Sequence, residues 1–147
     1  MNLKASTLAI GLFLLGCGSE PDDEIFGTYT LVGVEGSALP YLVSSDPECD
    51  LLISQGELTL VQGGTYTLEF SGPDDCTKSG GGISTLGRFY TGSFTQAGNE
   101  VTFEAEIQGA GTLVFSGTAN PLEVFVTVPP IPPATGPDLR LQFASLP

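Results

Sequence analysis

The sequence predicts an all-β protein, a small antiparallel up-and-down barrel of about eight strands, with a β-sandwich as the alternative architecture. Apolar and polar residues alternate with a period of two in successive runs after residue 25, and none of these runs has a helical period. The 147 residues suffice for one domain, and 20 glycines and 11 prolines supply frequent turns. The apolar content of 41% distinguishes the chain from a disordered acidic tail.

The strands are expected in eight runs separated by short turns such as Gln62–Gly64 and Gln96–Asn99. The second run is expected as two pieces broken at Gln55-Gly56, and Ser71–Gly82 and Pro129–Pro137 are expected as the longer loops. The runs are Phe26–Val34, Leu51–Val61, Thr65–Phe70, Gly87–Thr95, Asn99–Glu106, Thr112–Thr118, Pro121–Val128 and Asp138–Phe143. In the seventh run the alternation predicts a shared face for Leu122, Val124, Val126 and Val128.

Charge and composition exclude several functions. Seventeen acidic and four basic residues give a net charge of −13, which repels nucleic acid. The chain has no histidine, so it cannot build a Ser-His-Asp triad, a Cys-His pair or an ordinary zinc site. Glu104 and Glu106 share one face of a strand, but that face is opposite the apolar one, which indicates a solvated exterior and not acid–base catalysis. We therefore expect neither an enzyme nor a cofactor.

The first sixteen residues have the pattern of an export signal. Lys4 precedes an apolar segment, Ala5–Leu15, that is too short to span a bilayer. The segment ends in Leu14-Leu15-Gly16-Cys17, which resembles the lipobox of bacterial lipoproteins. The resemblance implies cleavage before Cys17 and attachment of acyl chains to that residue, which would anchor the protein stably to a membrane. The alternative is an ordinary secretory signal in which the cysteine occurs by chance.

The lipobox also implies a location and a division of the chain. Gly18, where many inner-membrane lipoproteins have aspartate, favours the outer membrane, facing the periplasm or the cell surface. Residues 1–16 are then the signal peptide, 17–25 an acidic tether and 26–147 the barrel domain. The expected partners are the membrane, through the anchor at Cys17, and a protein of the cell envelope or a small apolar ligand.

Two cysteines remain after Cys17 is assigned to the lipid. In an exported, oxidising compartment the pair Cys49 and Cys76 predicts a disulfide, although free thiols or a redox pair are alternatives. Acidic residues flank both cysteines and disfavour the reactive thiolate form. A disulfide would bring together the carboxylates of Asp46, Glu48, Asp74 and Asp75, whose repulsion would be relieved by Ca²⁺ or by Lys78. The spacing fits no calcium loop, so no metal site is predicted.

The opening of the domain resembles lipocalin-like domains of bacterial lipoproteins. The similar residues are Gly27-x-Tyr29-x-Leu31 with Leu39-Pro40 after it, the strand, Gly-Gly turn and aromatic strand of Gly56–Phe70, and the strand pair of Gly87–Phe103. The resemblance implies an eight-stranded barrel in which Tyr29 plugs one end. The inside of such a barrel is either filled by side chains or holds one small ligand.

The inward-facing residues leave two functions open. One is a structural or protein-interaction module of the envelope with a filled barrel core. The other is a lipocalin-like binder or carrier of a small apolar molecule. The residues expected to contact such a ligand are apolar or aromatic and face inward: Tyr29, Leu31, Tyr66, Leu68, Phe70, Phe103 and Phe115.

Overall fold

The computed structural model describes residues 24–130 and 136–146, which form an all-β structure with a single 3-10 turn, Thr77–Ser79. Cys17, the predicted signal peptide and most of the predicted tether lie outside the described residues. The eleven strands are β1 (Gly27–Val34), β2 (Ser37–Ala38), β3 (Tyr41–Ser45), β4 (Asp50–Ile53), β5 (Gln55–Val61), β6 (Thr65–Asp75), β7 (Ile83–Ala97), β8 (Glu100–Ile107), β9 (Gly111–Ala119), β10 (Glu123–Val128) and β11 (Leu139–Ala144).

Eight of these strands form a closed barrel. β1 pairs with β5, each strand from β5 to β11 pairs with the next, and β11 pairs back with β1, all antiparallel. This order confirms the predicted up-and-down barrel and excludes the sandwich. We call the end where β1 begins the closed end and the opposite end, where β1 finishes, the mouth.

Each of the eight predicted runs corresponds to a barrel strand, and three details of the prediction were wrong. Ser71–Asp75 is not a loop, because β7 begins at Ile83 and pairs with β6 residue by residue as far as Asp75. The short strands β2 and β3 were not foreseen. Leu122 is 71% exposed, outside the face it was expected to share with Val124. The side chain of Asn120 accepts hydrogen bonds from the Leu122 and Glu123 N–H groups and turns the chain there.

The strands between β1 and β5 extend the barrel at its mouth. β3 and β4 form a hairpin, and β4 pairs with the last two residues of β6, Asp74 and Asp75. We call the resulting four-stranded extension the flap: β3, β4, residues 72–75 of β6 and residues 83–89 of β7. Gly72 lies where β6 enters the flap, and any Cβ there would collide with the Leu52 carbonyl group. Glycine is therefore required for β4 to approach β6 this closely.

Side chains fill the barrel below the flap. Phe103 and Tyr66 are fully buried, with ring centroids 4.9 Å apart in an edge-to-face contact, and Phe103 stacks on Phe115 at 5.2 Å. The same series continues toward the closed end through Phe94, 6.3 Å from Phe103, and toward the mouth through Tyr90, 5.7 Å from Phe115. The packed interior thus reaches from one end of the barrel to the base of the flap.

Candidate ligand-binding site at the mouth of the barrel

The closed end is sealed by the segment through which the chain enters the barrel. Ile25 and Tyr29 are buried, and the Tyr29 hydroxyl donates a 2.7 Å hydrogen bond to the Ile25 carbonyl oxygen. Burial raises the pKa of Tyr29, so the hydroxyl remains a neutral donor at physiological pH. Ile25 and Tyr29 therefore close this end of the barrel within the described residues.

The mouth contains a cleft of about 580 Å³ between the flap and the start of β11. The cleft has the volume of a typical small-molecule site, about 300 to 1,000 Å³. Its lining is largely apolar, and it includes residues of the flap, of β7 and of both sides of the β10–β11 connection: Tyr41, Val43, Leu51, Leu52, Ile53, Phe70, Leu86, Tyr90, Val128, Pro129, Pro130, Pro137 and Leu139.

Two aromatic rings form the floor of the cleft. Phe70 and Tyr90 stack with centroids 6.3 Å apart, and Tyr90 contacts Phe115 of the packed interior. Burial raises the pKa values of Tyr90 and of the nearby Tyr66, so both phenols stay protonated. The Tyr66 hydroxyl, one layer deeper, is buried without a hydrogen-bond partner among the described residues. The cleft therefore has an apolar floor with neutral hydroxyl groups beneath it.

Charged side chains occur at the rim of the cleft. Glu35, Arg88 and Asp138 line it, and the Glu35 carboxylate accepts a 2.6 Å hydrogen bond from the Arg140 N–H. The Arg88 guanidinium donates to the Gly87 carbonyl oxygen and forms no salt bridge within the described part of the chain. The arrangement of an apolar interior and a polar rim suits an apolar or amphipathic molecule.

The far end of the flap is held by the predicted disulfide. Cys49 and Cys76 are bonded, with Cα atoms 4.0 Å apart and a separation of 27 positions in sequence. Next to the bond, Lys78 Nζ lies 2.5 Å from Asp50 Oδ1 and 3.2 Å from Ser45 Oγ. The hydrogen bond from Lys78 lowers the pKa of Asp50, so the folded protein favours the charged carboxylate.

Two neighbouring carboxylates, those of Asp46 and Asp75, also accept hydrogen bonds. Asp46 accepts 2.7 Å bonds from the backbone N–H groups of Glu48 and Cys49, and these bonds lower its pKa. Asp75 accepts bonds from the Thr77 hydroxyl and N–H, which lower its pKa as well. Lys78, which the sequence offered as one way to relieve this repulsion, forms its salt bridge with Asp50, and its charge also helps to lower the pKa values of Asp46 and Asp75.

The structure distributes the predicted ligand-contacting residues unevenly. Phe70 lines the cleft, Tyr29 closes the opposite end, and the remaining residues are at most 5% exposed inside the barrel: Leu31, Tyr66, Leu68, Phe103 and Phe115. Sequence reasoning missed Tyr41 and Val43 because β3 was not recognised. Tyr90 carried a usable signal, since it lies two residues from Gly92 on the face that also holds Phe94.

Comparison of the chain with family models, with curated proteins and with solved structures found no match. Within residues 24–130 and 136–146, no helix is long and apolar enough to cross a membrane.

Proposed function

We propose that this protein is a lipid-anchored component of the cell envelope that binds a small apolar or amphipathic molecule in the mouth of its barrel. The observation that carries the proposal is the cleft of about 580 Å³, with Phe70 and Tyr90 as its floor and a charged rim. A molecule in this cleft would contact apolar side chains at its inner end and solvent or Arg88 at its outer end.

The position of the N-terminus supports an outward-facing mouth. The chain enters the barrel at the closed end, where Ile25 is buried. Cys17 precedes Ile25 by eight residues, which span at most about 28 Å when fully extended. An anchor at Cys17 would hold the closed end near the membrane and direct the mouth away from it. A ligand would then enter from the aqueous side.

The anchor has its own test. Replacement of Cys17 by Ser should abolish labelling of the protein by radioactive palmitate and release it from the membrane fraction. Labelling that is unchanged in the Cys17→Ser protein would refute the lipoprotein assignment, whatever the mouth binds.

The cleft is tested with N-phenyl-1-naphthylamine, an uncharged apolar probe whose fluorescence rises when it leaves water. The full chain carrying Cys17→Ser provides soluble material. Val43→Trp, in the wall of the cleft, should fill the site and weaken binding at least about tenfold, or about 1.4 kcal/mol. Leu42→Trp is the matched control: Leu42 is the preceding residue, is 50% exposed and does not line the cleft.

The control protein should bind the probe within a factor of about two of the parent, a difference of under about 0.5 kcal/mol. Equal affinity of both Trp variants would move the binding site away from the mouth. Native mass spectra compared with denaturing spectra of the parent protein should also reveal a small molecule carried from the cell.

A structural or protein-interaction role is the second candidate. The observation that favours it is the filled interior, in which Phe103 and Tyr66 are fully buried and leave no deep cavity between them. If the probe does not bind and no small molecule is carried, function rests on the outer surface of the barrel and the flap.

A further inference from the structure

One edge of the flap is a strand edge that no other strand covers in the part of the chain the structure describes. β7 pairs with β6 along Ile83–Ser93, but β8 pairs with β7 only from Gly92 to Ala97. All residues of the segment 83–89 are exposed. We call this segment the open edge. Uncovered strand edges are templates for pairing with another strand.

The hydrogen-bond register identifies the groups that the open edge presents. At one end of the β6–β7 ladder Cys76 N–H donates to Gly82 C=O, and at the other Phe94 N–H donates to Gly64 C=O. No register shift lies between these points, so the even-numbered residues of β7 bond to β6. The N–H and C=O groups of the odd-numbered residues therefore point away from β6: Ile83, Thr85, Gly87 and Phe89.

The open edge lacks the features that protect the opposite edge of the flap. β3 is five residues long and has a register irregularity between Leu42 and Ser44. A short, irregular strand is a poor template for pairing. The open edge runs without a bulge, and it exposes three large apolar side chains: Ile83 (66%), Leu86 (42%) and Phe89 (58%).

We infer that the open edge pairs antiparallel with the open edge of a second copy of this chain, with the two-fold axis at Leu86. This register places Ile83 opposite Phe89 of the second copy, and Leu86 opposite its own equivalent. Thr85 and Gly87 then form a hydrogen-bonded pair, as do Ile83 and Phe89, because all four carry outward-pointing backbone groups. Every exposed large apolar side chain of the open edge meets one from the second copy.

Charge favours this place of contact between two acidic chains. Residues 76–99 contain none of the 17 acidic residues and two of the four basic ones, Lys78 and Arg88. Lys78 is paired with Asp50, and Arg88 lies opposite Ser84 of the second copy in the proposed register. The open edge itself therefore adds no negative charge to the contact, although Asp74 and Asp75 lie on the adjacent strand opposite Ser84 and Ile83.

The pairing has a geometric consequence for the anchored protein, which rests on the proposed function. β7 runs from the mouth toward the closed end, so antiparallel pairing directs the two closed ends in opposite directions. Anchors at Cys17 would then lie on opposite sides of the dimer. The contact suits copies carried on two facing surfaces rather than neighbours on one membrane.

Cysteine cross-linking of the full chain carrying Cys17→Ser tests the register. In the proposed pairing the two Leu86 residues form a non-hydrogen-bonded pair with Cα atoms about 4.5 Å apart, within the range of a disulfide. Leu86→Cys should therefore yield a covalent dimer on mild oxidation, and peptide mapping should find the native Cys49–Cys76 bond intact. Ile83→Cys is the matched control, because its two copies lie six residues apart along the pair and should not cross-link.

Sedimentation measurements test the pairing without added cysteines. Thr85→Pro removes an outward N–H group and spares the bonds to β6, so it should lower the dimer fraction at least about tenfold. Thr85→Val keeps the N–H and should dimerise like the parent. Salt should strengthen the dimer by screening the net charges. A parent protein that is monomeric at millimolar concentration, or equal cross-linking by Leu86→Cys and Ile83→Cys, would overturn the proposal. Neither result depends on whether the cleft binds the naphthylamine probe.

Discussion

The two ends of the barrel are built from the same alternation of apolar and polar residues, but one end is sealed and the other opens into a cleft. At the closed end, Ile25 covers the interior and its carbonyl oxygen accepts the Tyr29 hydroxyl. At the mouth, β6 and β7 continue beyond the barrel, and their inner face becomes one wall of an open cleft. An inward-facing apolar residue therefore seals the core where strands from all sides meet, and lines a binding site where some strands continue alone.

The largest expected effect is in the packed interior. Phe103→Ala removes a fully buried ring that contacts Tyr66, Phe94 and Phe115, and should lower the free energy of unfolding by about 3 to 5 kcal/mol. Val114→Ala is the control, since Val114 is 57% exposed on β9 and lies outside the open edge, and should change the value by less than about 0.5 kcal/mol. Urea unfolding measures both. Similar losses would mean that the barrel interior is not the principal core.

Removal of the disulfide should have the next largest effect. The Cys49–Cys76 bond closes a separation of 27 residues, and its loss should cost about 3 kcal/mol in global stability because the unfolded chain gains freedom. The double variant Cys49→Ser with Cys76→Ser can be compared with the parent by guanidinium unfolding. A difference under about 0.5 kcal/mol would indicate that the bond constrains only the flap and leaves the stability of the barrel unchanged.

Two tyrosines distinguish the sealed end from the layer beneath the cleft. Tyr29→Phe leaves the buried Ile25 carbonyl group without its donor and should destabilise the protein by about 1 to 2 kcal/mol. Tyr66→Phe removes a buried hydroxyl that has no partner among the described residues, and should leave stability unchanged or raise it by up to about 1 kcal/mol. Thermal and urea unfolding of the two variants compare them directly. A larger loss of stability for Tyr66→Phe than for Tyr29→Phe would show that the Tyr66 hydroxyl has a hydrogen-bond partner in solution.

The smallest expected effect concerns the acidic end of the flap. The pKa of Asp50 is lowered in the folded protein by the hydrogen bond from Lys78, so the folded state favours the charged carboxylate. The resulting stabilisation is present above the unfolded pKa of about 3.9 and is lost as the pH falls through the lower folded pKa. Asp50→Asn should thus be less stable than the parent at pH 7 and match it near pH 2.

Period-two alternation was sufficient to predict the barrel strands and most of its interior. Phe103 and Val126 lie on strands paired on both sides, where alternation maps directly onto inside and outside. The cleft was much harder to predict. Val43 lies at the irregularity of β3, and Leu86 lies where β7 has lost its partner β8, so neither position has two flanking strands to fix its environment. Val43 and Leu86 become part of the cleft lining only when β3 and β4 fold back over the mouth.

The difference between the ends can be tested directly by nuclear magnetic resonance. Titration of the ¹⁵N-labelled full chain, carrying Cys17→Ser, with N-phenyl-1-naphthylamine should shift the amide signals of mouth residues such as Ile53, Tyr90 and Leu139. The signals of Tyr29 and of Phe143, which is fully buried below the mouth, should stay in place. Shifts centred on Tyr29 and Phe143, or no shifts at saturating probe, would contradict the account of a barrel sealed at one end and open to a ligand at the other.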